Sequence, residues 1–238
     1  MTKQSDLSSY TSVKALISLK NVERSFGSGQ SKTHALGPVT FDISKGEFVM
    51  IIGRSGSGKS TLLNLLCGLD KASKGSLTIH GKNLEAMNSK QLADYRSTIG
   101  IIFQSYNLLP NLNTTENVLL GAWAGGSKAE LSRAEELLAK VNLSHRLNAN
   151  VKNLSGGERQ RVSIARSLIS DPEIVFCDEP TGALDSSNEE IVLNILKDLN
   201  KEGKTIVMVT HNEEFLKYAT RVLHLADGKL VKETTKKR

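Results

Sequence analysis

A glycine-rich run from Gly53 to Ser60 has the composition and spacing of a loop that binds phosphate groups. It reads GRSGSGKS and fits the P-loop pattern G-x-x-x-x-G-K-[ST]. Its glycines let backbone N–H groups turn inward, and a helix that begins there adds its partial positive charge. Lys59 is placed to reach the β- and γ-phosphates, and the Ser60 hydroxyl to bind Mg²⁺. The predicted nucleotide contacts in this segment are Gly53, Arg54, Ser55, Gly56, Ser57, Gly58, Lys59, Ser60 and Thr61.

The segments on either side of this loop have the patterns that a P-loop requires. Residues 47–52 form an apolar run of strand length, and residues 61–67 have the apolar spacing of a helix. This setting favours a P-loop over a chance glycine-rich turn. The motif alone indicates nucleotide binding and does not separate a kinase, a GTPase, a helicase or a transport motor.

A serine and a glutamate three residues apart, Ser155 and Glu158, predict a capping box at the start of a helix. The two glycines between them, Gly156 and Gly157, leave backbone N–H groups open to an anion. A lone Ser-Gly-Gly-Glu is as often only a flexible helix cap. Its chemistry therefore has to be judged together with the other motifs.

Two adjacent carboxylates, Asp178 and Glu179, follow an apolar run that ends at Cys177. A carboxylate at the end of a buried strand can reach the ligand shell of Mg²⁺, and its neighbour can position or deprotonate a water molecule. The alternative is a solvated acidic pair. The strand pattern before the pair and the P-loop elsewhere in the chain both argue against that alternative.

These motifs, in this order along the chain, resemble those of the ABC ATPase family. The segment LSGGE at 154–158 resembles the family's signature sequence, and IVFCDEP at 174–180 resembles its Walker B strand. The resemblance covers residues 16–231. Within the family, IIFQSYNLLP at 101–110 and DEPTGALD at 178–185 are similar to ATPases of the MacB, LolD and FtsE type.

The resemblance implies a role for several further residues. Glu179 would activate the attacking water, and Gln104 is identified as the Q-loop residue that touches Mg²⁺ or that water. His211 resembles the switch histidine that contacts the γ-phosphate, and Asp185 matches the D-loop that crosses a dimer interface. Phe26 stands where the family stacks an aromatic ring, most often Tyr, on adenine. The implied catalytic residues are Glu179, His211 and Gln104, the metal ligands Ser60, Gln104 and Asp178, and the further ATP contacts Phe26, Ser155, Gly156, Gly157, Glu158 and Asp185.

Strand patterns that alternate with helical ones predict an α/β fold. We expect a P-loop NTPase core with a mainly parallel sheet, an N-terminal antiparallel β part and an inserted helical subdomain at 105–153. A hairpin is predicted at Asp227-Gly228, and a second capping box, Ser186 with Glu189, is predicted to begin a helix. The expected organisation is a flexible leader at 1–14, the ATPase domain at 15–231 and a basic tail at 232–238.

Composition limits the class of protein. The 238 residues are 39% hydrophobic and 24% charged, as in an ordinary globular domain, with a formal net charge of +6. Part of the excess positive charge is in the C-terminal segment, and a nucleic-acid partner is not expected. Cys67 and Cys177 lie in apolar runs without metal-binding spacing, which predicts two buried thiols in a reduced compartment. No apolar stretch approaches the roughly 18 residues that span a bilayer.

Together these features predict the ATP-binding and ATP-hydrolysing subunit of an ABC transporter. The resemblance implies a second ATPase subunit, with two Mg-ATP between the two copies, and an integral membrane permease at the cytoplasmic face of the membrane. Export or extraction of the MacB or LolD type is expected, and Tyr106, Leu108, Leu109 and Pro110 are the candidate docking residues. One alternative is an FtsE-like ATPase that drives a cell-wall hydrolase without transport. A family member that acts on ribosomes or DNA, and a nucleotide sensor with inactive sites, are both disfavoured by the intact motifs and the absence of coiled-coil patterns.

Overall fold

The computed structural model describes residues 15–123 and 130–236, so the predicted leader at 1–14 lies outside the described residues. Two sheets and a group of helices make up the fold. The strands are β1 (Ile17–Phe26), β2 (Thr33–Ile43), β3 (Phe48–Ile52), β4 (Lys74–Ile79), β5 (Lys82–Asn83), β6 (Gly100–Ile102), β7 (Ile174–Asp178), β8 (Thr205–Thr210), β9 (Arg221–Ala226) and β10 (Lys229–Thr235). The helices are α1 (Lys59–Leu66), α2 (Ser89–Arg96), α3 (Thr114–Trp123), α4 (Leu131–Lys140), α5 (Gly156–Ser167) and α6 (Ser186–Lys201).

The larger sheet has the strand order β10-β9-β3-β8-β7-β6, and its strands are parallel except for the final β9–β10 hairpin. Strand β3 lies between β8 and β9, and all five of its side chains are buried. The smaller sheet, in the order β2-β1-β4-β5, is antiparallel. The predicted α/β fold with an antiparallel N-terminal part is therefore confirmed.

Side chains alternate between two hydrophobic cores, one on each face of the large sheet, because neighbouring residues of a strand point in opposite directions. Val49 and Ile51 of β3 pack with α1 and the antiparallel sheet. Phe48, Met50 and Ile52 pack on the other face with helices α3 to α6. The parallel strands are buried on both faces, which explains their continuous apolar runs.

The helices between β6 and β7 form one packed group in which α3 and α4 both contact α5. Val162 and Ala165 of α5 are buried, as are Leu168 and Ile169 directly after it. The group therefore continues beyond the predicted boundary at residue 153 as far as Ser167. Among the described residues, no helix combines the length and the apolar character needed to cross a bilayer.

One sequence prediction needs correction. Helix α6 is capped by Asp185, whose carboxylate accepts the N–H of Asn188, so Ser186 lies inside the helix and the predicted Ser186–Glu189 capping box is wrong. The predicted boundary at residue 231 falls within β10, because residues 232–235 pair with β9. No prediction covers the short elements β4, β5 and α2, although Leu77 and Ile79 of β4 alternate with less buried residues as in a half-buried strand.

Candidate active site

The predicted P-loop connects β3 to α1, as its sequence context indicated. Gly58 caps the helix with φ 94°, in the left-handed region that favours glycine. At Gly53, an added Cβ would lie 2.2 Å from the carbonyl oxygen of Leu225, so no larger residue fits. The ammonium of Lys59, a residue that is 6% exposed, donates to the carbonyl oxygens of Gly53 at 2.8 Å and Arg54 at 2.9 Å. The loop thus holds the Lys59 ammonium beside the N-terminus of α1, a position at which anions bind.

An open cleft of about 690 Å³ lies against this loop. It brings together four segments from different parts of the sequence: the start of β2, the P-loop, the end of β7 and the residue after β8. Among the described residues its lining consists of Thr33, His34, Ala35, Ser55, Gly56, Gly58, Lys59, Ser60, Thr61, Glu179 and His211. Two of the predicted catalytic residues, Glu179 and His211, therefore face the predicted phosphate-binding loop.

Glu179 and His211 contact each other directly. The Nδ1 atom of His211 lies 3.1 Å from Oε2 of Glu179, within hydrogen-bond distance. Glu179 has φ 43°, a left-handed conformation that costs a non-glycine residue of order 1 kcal/mol or more. Its backbone N–H donates to the carbonyl oxygen of Val209 at 3.0 Å. Contacts from the neighbouring strand thus hold the carboxylate in a conformation that the chain alone disfavours.

Asp178 is partly buried, and its carboxylate lies beside the Ser60 side chain. Burial, followed by the charge of Glu179, raises the pKa of Asp178, although the nearby Ser60 hydroxyl and the charge of Lys59 oppose that rise. The Ser60 hydroxyl and the Asp178 carboxylate are the oxygen ligands that Mg²⁺ prefers. A magnesium ion would also relieve the repulsion between the two carboxylates, so the residues present fit this ion.

Gln104 lies close to the same strand end, after β6. A Cβ built on Gly182 would be 2.9 Å from Nε2 of Gln104 and 3.5 Å from Oε2 of Glu179. The three predicted metal ligands therefore belong to one region, although Gln104 and Asp178 do not line the cleft itself. This closeness depends on the parallel pairing of β6 and β7, whose carboxyl ends meet at one edge.

The predicted capping box is confirmed at the start of α5. Ser155 Oγ accepts the N–H of Glu158 at 3.2 Å, and the Glu158 carboxylate accepts the N–H of Ser155 at 2.8 Å. Arg146 adds a hydrogen bond to the same carboxylate at 2.9 Å. Burial opposes ionisation, but these hydrogen bonds outweigh it and lower the pKa of Glu158. Residues 155–158 are not part of the cleft lining in the described part of the chain.

Phe26 ends β1 and is 44% exposed. The guanidinium carbon of Arg24 lies 4.4 Å from its ring centroid, and Arg24 is held by Asp70 at 2.7 Å. Phe26 pairs with Thr33, which lines the cleft, so the aromatic ring stands near one end of the cleft. His34, for which no motif predicted a role, also lines the cleft.

A second groove, of about 580 Å³, runs between α2 and the helical group. Of the four candidate docking residues, Leu109 lines this groove and is 49% exposed. Tyr106 instead lies beside the signature segment, since a Cβ on Gly156 would be 3.2 Å from its hydroxyl oxygen. Leu108 packs against the core, and the groove lining does not include Pro110.

Comparison with known proteins decides the family, because the ABC transporter model matches residues 36–182 of the chain. The chain belongs to the ABC transporter family. It is an ATPase domain of that family, and its motifs, fold and relatives agree on this point.

The relatives include the macrolide export ATP-binding/permease protein MacB of Mannheimia succiniciproducens, which is 49% identical over 224 residues. That alignment covers 93% of this chain and 35% of the relative, and MacB of Bradyrhizobium diazoefficiens is 48% identical with coverages of 92% and 34%. The chain thus spans about a third of the length of these curated relatives.

Among solved structures, the ATP-binding cassette MJ0796 aligns over 93% of this chain and 99% of its own, with TM-score 0.86 and 38% identity. That structure is described as a dimer in a post-hydrolysis state, bound to ADP and Pi.

Proposed function

We propose that this ATPase works as a closed dimer around two Mg-ATP and drives an integral membrane permease in export or extraction of the MacB or LolD type. The observation that supports this most strongly is the division of the predicted site. The P-loop, Glu179 and His211 line one cleft, whereas the signature segment, residues 155–158, does not line it. A second copy would supply the missing signature segment.

Within one chain, each cleft residue has a distinct task. The P-loop N–H groups and Lys59 bind the phosphates, and Glu179 orients a water molecule and accepts its proton as the oxygen attacks the γ-phosphorus. The bond to the β-phosphate oxygen breaks and leaves ADP and phosphate. His211, 3.1 Å from Glu179, holds that carboxylate in position and contacts the γ-phosphate. Phe26 stacks on adenine beyond the cleft.

Ser60, Asp178 and Gln104 would hold the magnesium ion. When bound, Mg²⁺ neutralises charge on the β- and γ-phosphate oxygens. The protein's part is to present oxygen atoms at the ends of β6, β7 and the P-loop, where the Ser60 hydroxyl lies beside the Asp178 carboxylate.

The dimer would place residues 155–158 of one copy against the γ-phosphate held by the other, with Asp185 at the interface. The MJ0796 structure, at 38% identity, is described as dimeric, which supports this arrangement. Charge-assisted hydrogen bonds to phosphate would supply much of the free energy of closure. Loss of the γ-phosphate would remove those bonds and let the dimer open.

The groove that contains Leu109 is the proposed contact with the permease. It lies between the ATPase core and the helical group, so a rotation of the helices would move it. The MacB relatives are named as ATP-binding/permease proteins and extend well beyond the aligned region, which supports a membrane partner. Such a partner would hold this domain at the cytoplasmic face of the membrane.

The decisive test uses Glu179→Gln, which keeps the size of the side chain but removes the proton acceptor. We expect its turnover to fall at least 100-fold while Mg-ATP produces a long-lived dimer in analytical ultracentrifugation. ADP should produce no dimer.

Affinity purification of the tagged variant from detergent-solubilised membranes with Mg-ATP should recover a membrane protein. Full turnover would refute the role of Glu179, and recovery of ribosomes or DNA instead would refute the membrane partner.

A further inference from the structure

Asn188, in the first turn of α6, connects two segments that the sequence treats separately. Its Nδ2 donates to both carboxylate oxygens of Asp185, at 3.1 and 2.9 Å, and its backbone N–H donates to Asp185 Oδ1 at 2.9 Å. Its Oδ1 accepts a hydrogen bond from Nη1 of Arg161, on α5, at 3.2 Å. One side chain therefore joins the cap of α6 to the helix that begins with the signature segment.

The contact with α5 is unusually close at Gly157. A Cβ added to Gly157 would lie 1.9 Å from Oδ1 and 2.3 Å from Cγ of Asn188. Real Cβ atoms do not approach so closely, so the missing side chain of Gly157 provides the space that Asn188 occupies. Asn188 thus packs directly against the backbone of the signature segment.

Arg161 adds a second restraint to the same contact. It is only 9% exposed, and a buried guanidinium needs hydrogen-bond acceptors to offset its desolvation. In the described part of the chain, the Nε atom of Arg161 has no hydrogen-bond partner. The hydrogen bond from Nη1 to Asn188 Oδ1 therefore matters more to this guanidinium. Loss of Oδ1 at position 188 would leave Arg161 free to turn away and would loosen the start of α5.

From these contacts we infer that Asn188 is a positioning residue, which fixes the signature segment relative to Asp185 within one protomer. This inference rests on the proposed dimer, in which both segments act on the nucleotide held by the other copy. Asn188 itself does not line the cleft. It acts by presenting Gly157 and Asp185 as one rigid unit, so that both reach the partner in register.

If Asn188 positions the signature segment, its replacement should lower kcat without weakening ATP binding to a single copy. ATP binding to a single copy uses that copy's own P-loop, which Asn188 does not contact. Catalysis uses the signature segment supplied by the other copy, and a displacement of about 1 Å can cost on the order of 100-fold in rate. We therefore expect Asn188→Ala to lower kcat about tenfold or more. The affinity of the dilute, monomeric chain for ATP should change less than twofold.

Ser187→Ala is the matched control, because the Ser187 side chain also bonds the cap residue Asp185 but, among the described residues, makes no hydrogen bond to α5. Its hydroxyl donates to Asp185 Oδ1 at 2.7 Å, and it is exposed. Asn188→Asp separates the two side-chain contacts, since it keeps an acceptor for Arg161 but loses the Nδ2 group that donates to Asp185. The inference expects Ser187→Ala to keep wild-type kcat and Asn188→Asp to fall between wild type and Asn188→Ala.

Three measurements on the full chain test this inference. They are steady-state ATPase kinetics, binding of a fluorescent ATP analogue at low protein concentration, and backbone amide hydrogen exchange at residues 155–161 without nucleotide. Only the changes at Asn188 should speed exchange in that segment, and thermal unfolding checks that each variant is folded. If Ser187→Ala and Asn188→Ala change kcat and amide exchange equally, Asn188 only supports the cap of α6 and the inference is wrong. Unchanged exchange in Asn188→Ala would also overturn the inference.

Failure of the proposed dimer can be distinguished from failure of the role inferred for Asn188. If Glu179→Gln forms no dimer with ATP, the proposed function fails. The exchange measurement on single copies still decides whether Asn188 holds the signature segment. If the dimer forms, Asn188→Ala placed in the Glu179→Gln chain should weaken it at least tenfold, and an unchanged dimer would contradict the inference.

Discussion

Asp178 and Glu179 are neighbours in sequence with different surroundings. Asp178 is partly buried beside Ser60, whereas Glu179 reaches the cleft in a left-handed conformation beside His211. The backbone turn after β7 produces this difference, because it sends the two carboxylates in different directions. The first is thereby suited to hold a cation, and the second to act on a water molecule.

The raised pKa of Asp178 predicts a pH-dependent effect on stability. A carboxyl whose pKa is raised by folding contributes stability that is complete below its unfolded value, near 3.8, and is lost as the pH rises through the folded value. At neutral pH the charged Asp178 therefore destabilises the nucleotide-free chain. Asp178→Asn should raise the unfolding temperature at pH 7, and the difference should disappear near pH 3.

Thermal unfolding without nucleotide or Mg²⁺ measures this effect. Asp94→Asn, on the exposed side of α2, is the control and should leave the unfolding temperature nearly unchanged. A lower stability of Asp178→Asn at pH 7 would contradict the assigned electrostatics.

Phe26 is predicted to bind adenine by stacking, with Arg24 covering its other side. Stacking of a base on an aromatic ring contributes about 1–3 kcal/mol. Phe26→Ala should therefore weaken ATP binding about tenfold in a fluorescence titration with a nucleotide analogue. Phe26→Tyr keeps the ring and should bind like the wild type. Equal affinity of the alanine variant would remove Phe26 from the site.

At the scale of elements, helix α3 orders the loop that leads from β6 into the helical group. Asn117 is fully buried, and its Nδ2 donates to the carbonyl oxygens of Leu109, Leu112 and Asn113 at 3.1, 3.2 and 3.0 Å. Its Oδ1 accepts the N–H of Leu109 at 2.8 Å. One side chain thus holds the turn that brings Leu109 to the groove.

Loss of these hydrogen bonds should be costly, because buried backbone groups would remain unpaired. Asn117→Ala is expected to lower the free energy of unfolding by about 2–3 kcal/mol. Urea unfolding measures this change, and Asn194→Ala on the exposed face of α6 should cost less than about 0.5 kcal/mol. Similar losses in the two variants would show that the bonds of Asn117 add little.

At the scale of the whole molecule, the proposed contact with the permease lies in the groove between the core and the helical group. Leu109→Glu places a charge on the apolar wall of that groove, and its burial against a partner would be unfavourable. We expect at least tenfold less membrane protein to co-purify with this variant in the Glu179→Gln background. Ile191→Glu, an exposed apolar position on α6, should recover the same amount as the parent. Equal recovery from both variants would place docking elsewhere.

The P-loop, the capping box at Ser155 and the buried parallel strands could be predicted because each depends on local pattern. Each of these patterns indicates a local conformation that depends on residues close in sequence. The patterns are the glycine spacing, the serine–glutamate pair and the apolar runs. The second capping box was mispredicted because Asp185 and Ser186 are both good caps, and only the backbone shows which of them lies outside the helix.

The sequence by itself thus determined the family, the P-loop motif that connects β3 to α1, and the two carboxylates at the end of β7. Only the tertiary structure decided that His211 contacts Glu179, that His34 lines the cleft and that Asn188 joins Gly157 to Asp185. These contacts bring together residues from different strands, helices and loops. Their geometry depends on strand order and helix packing, which side-chain spacing along the chain does not record.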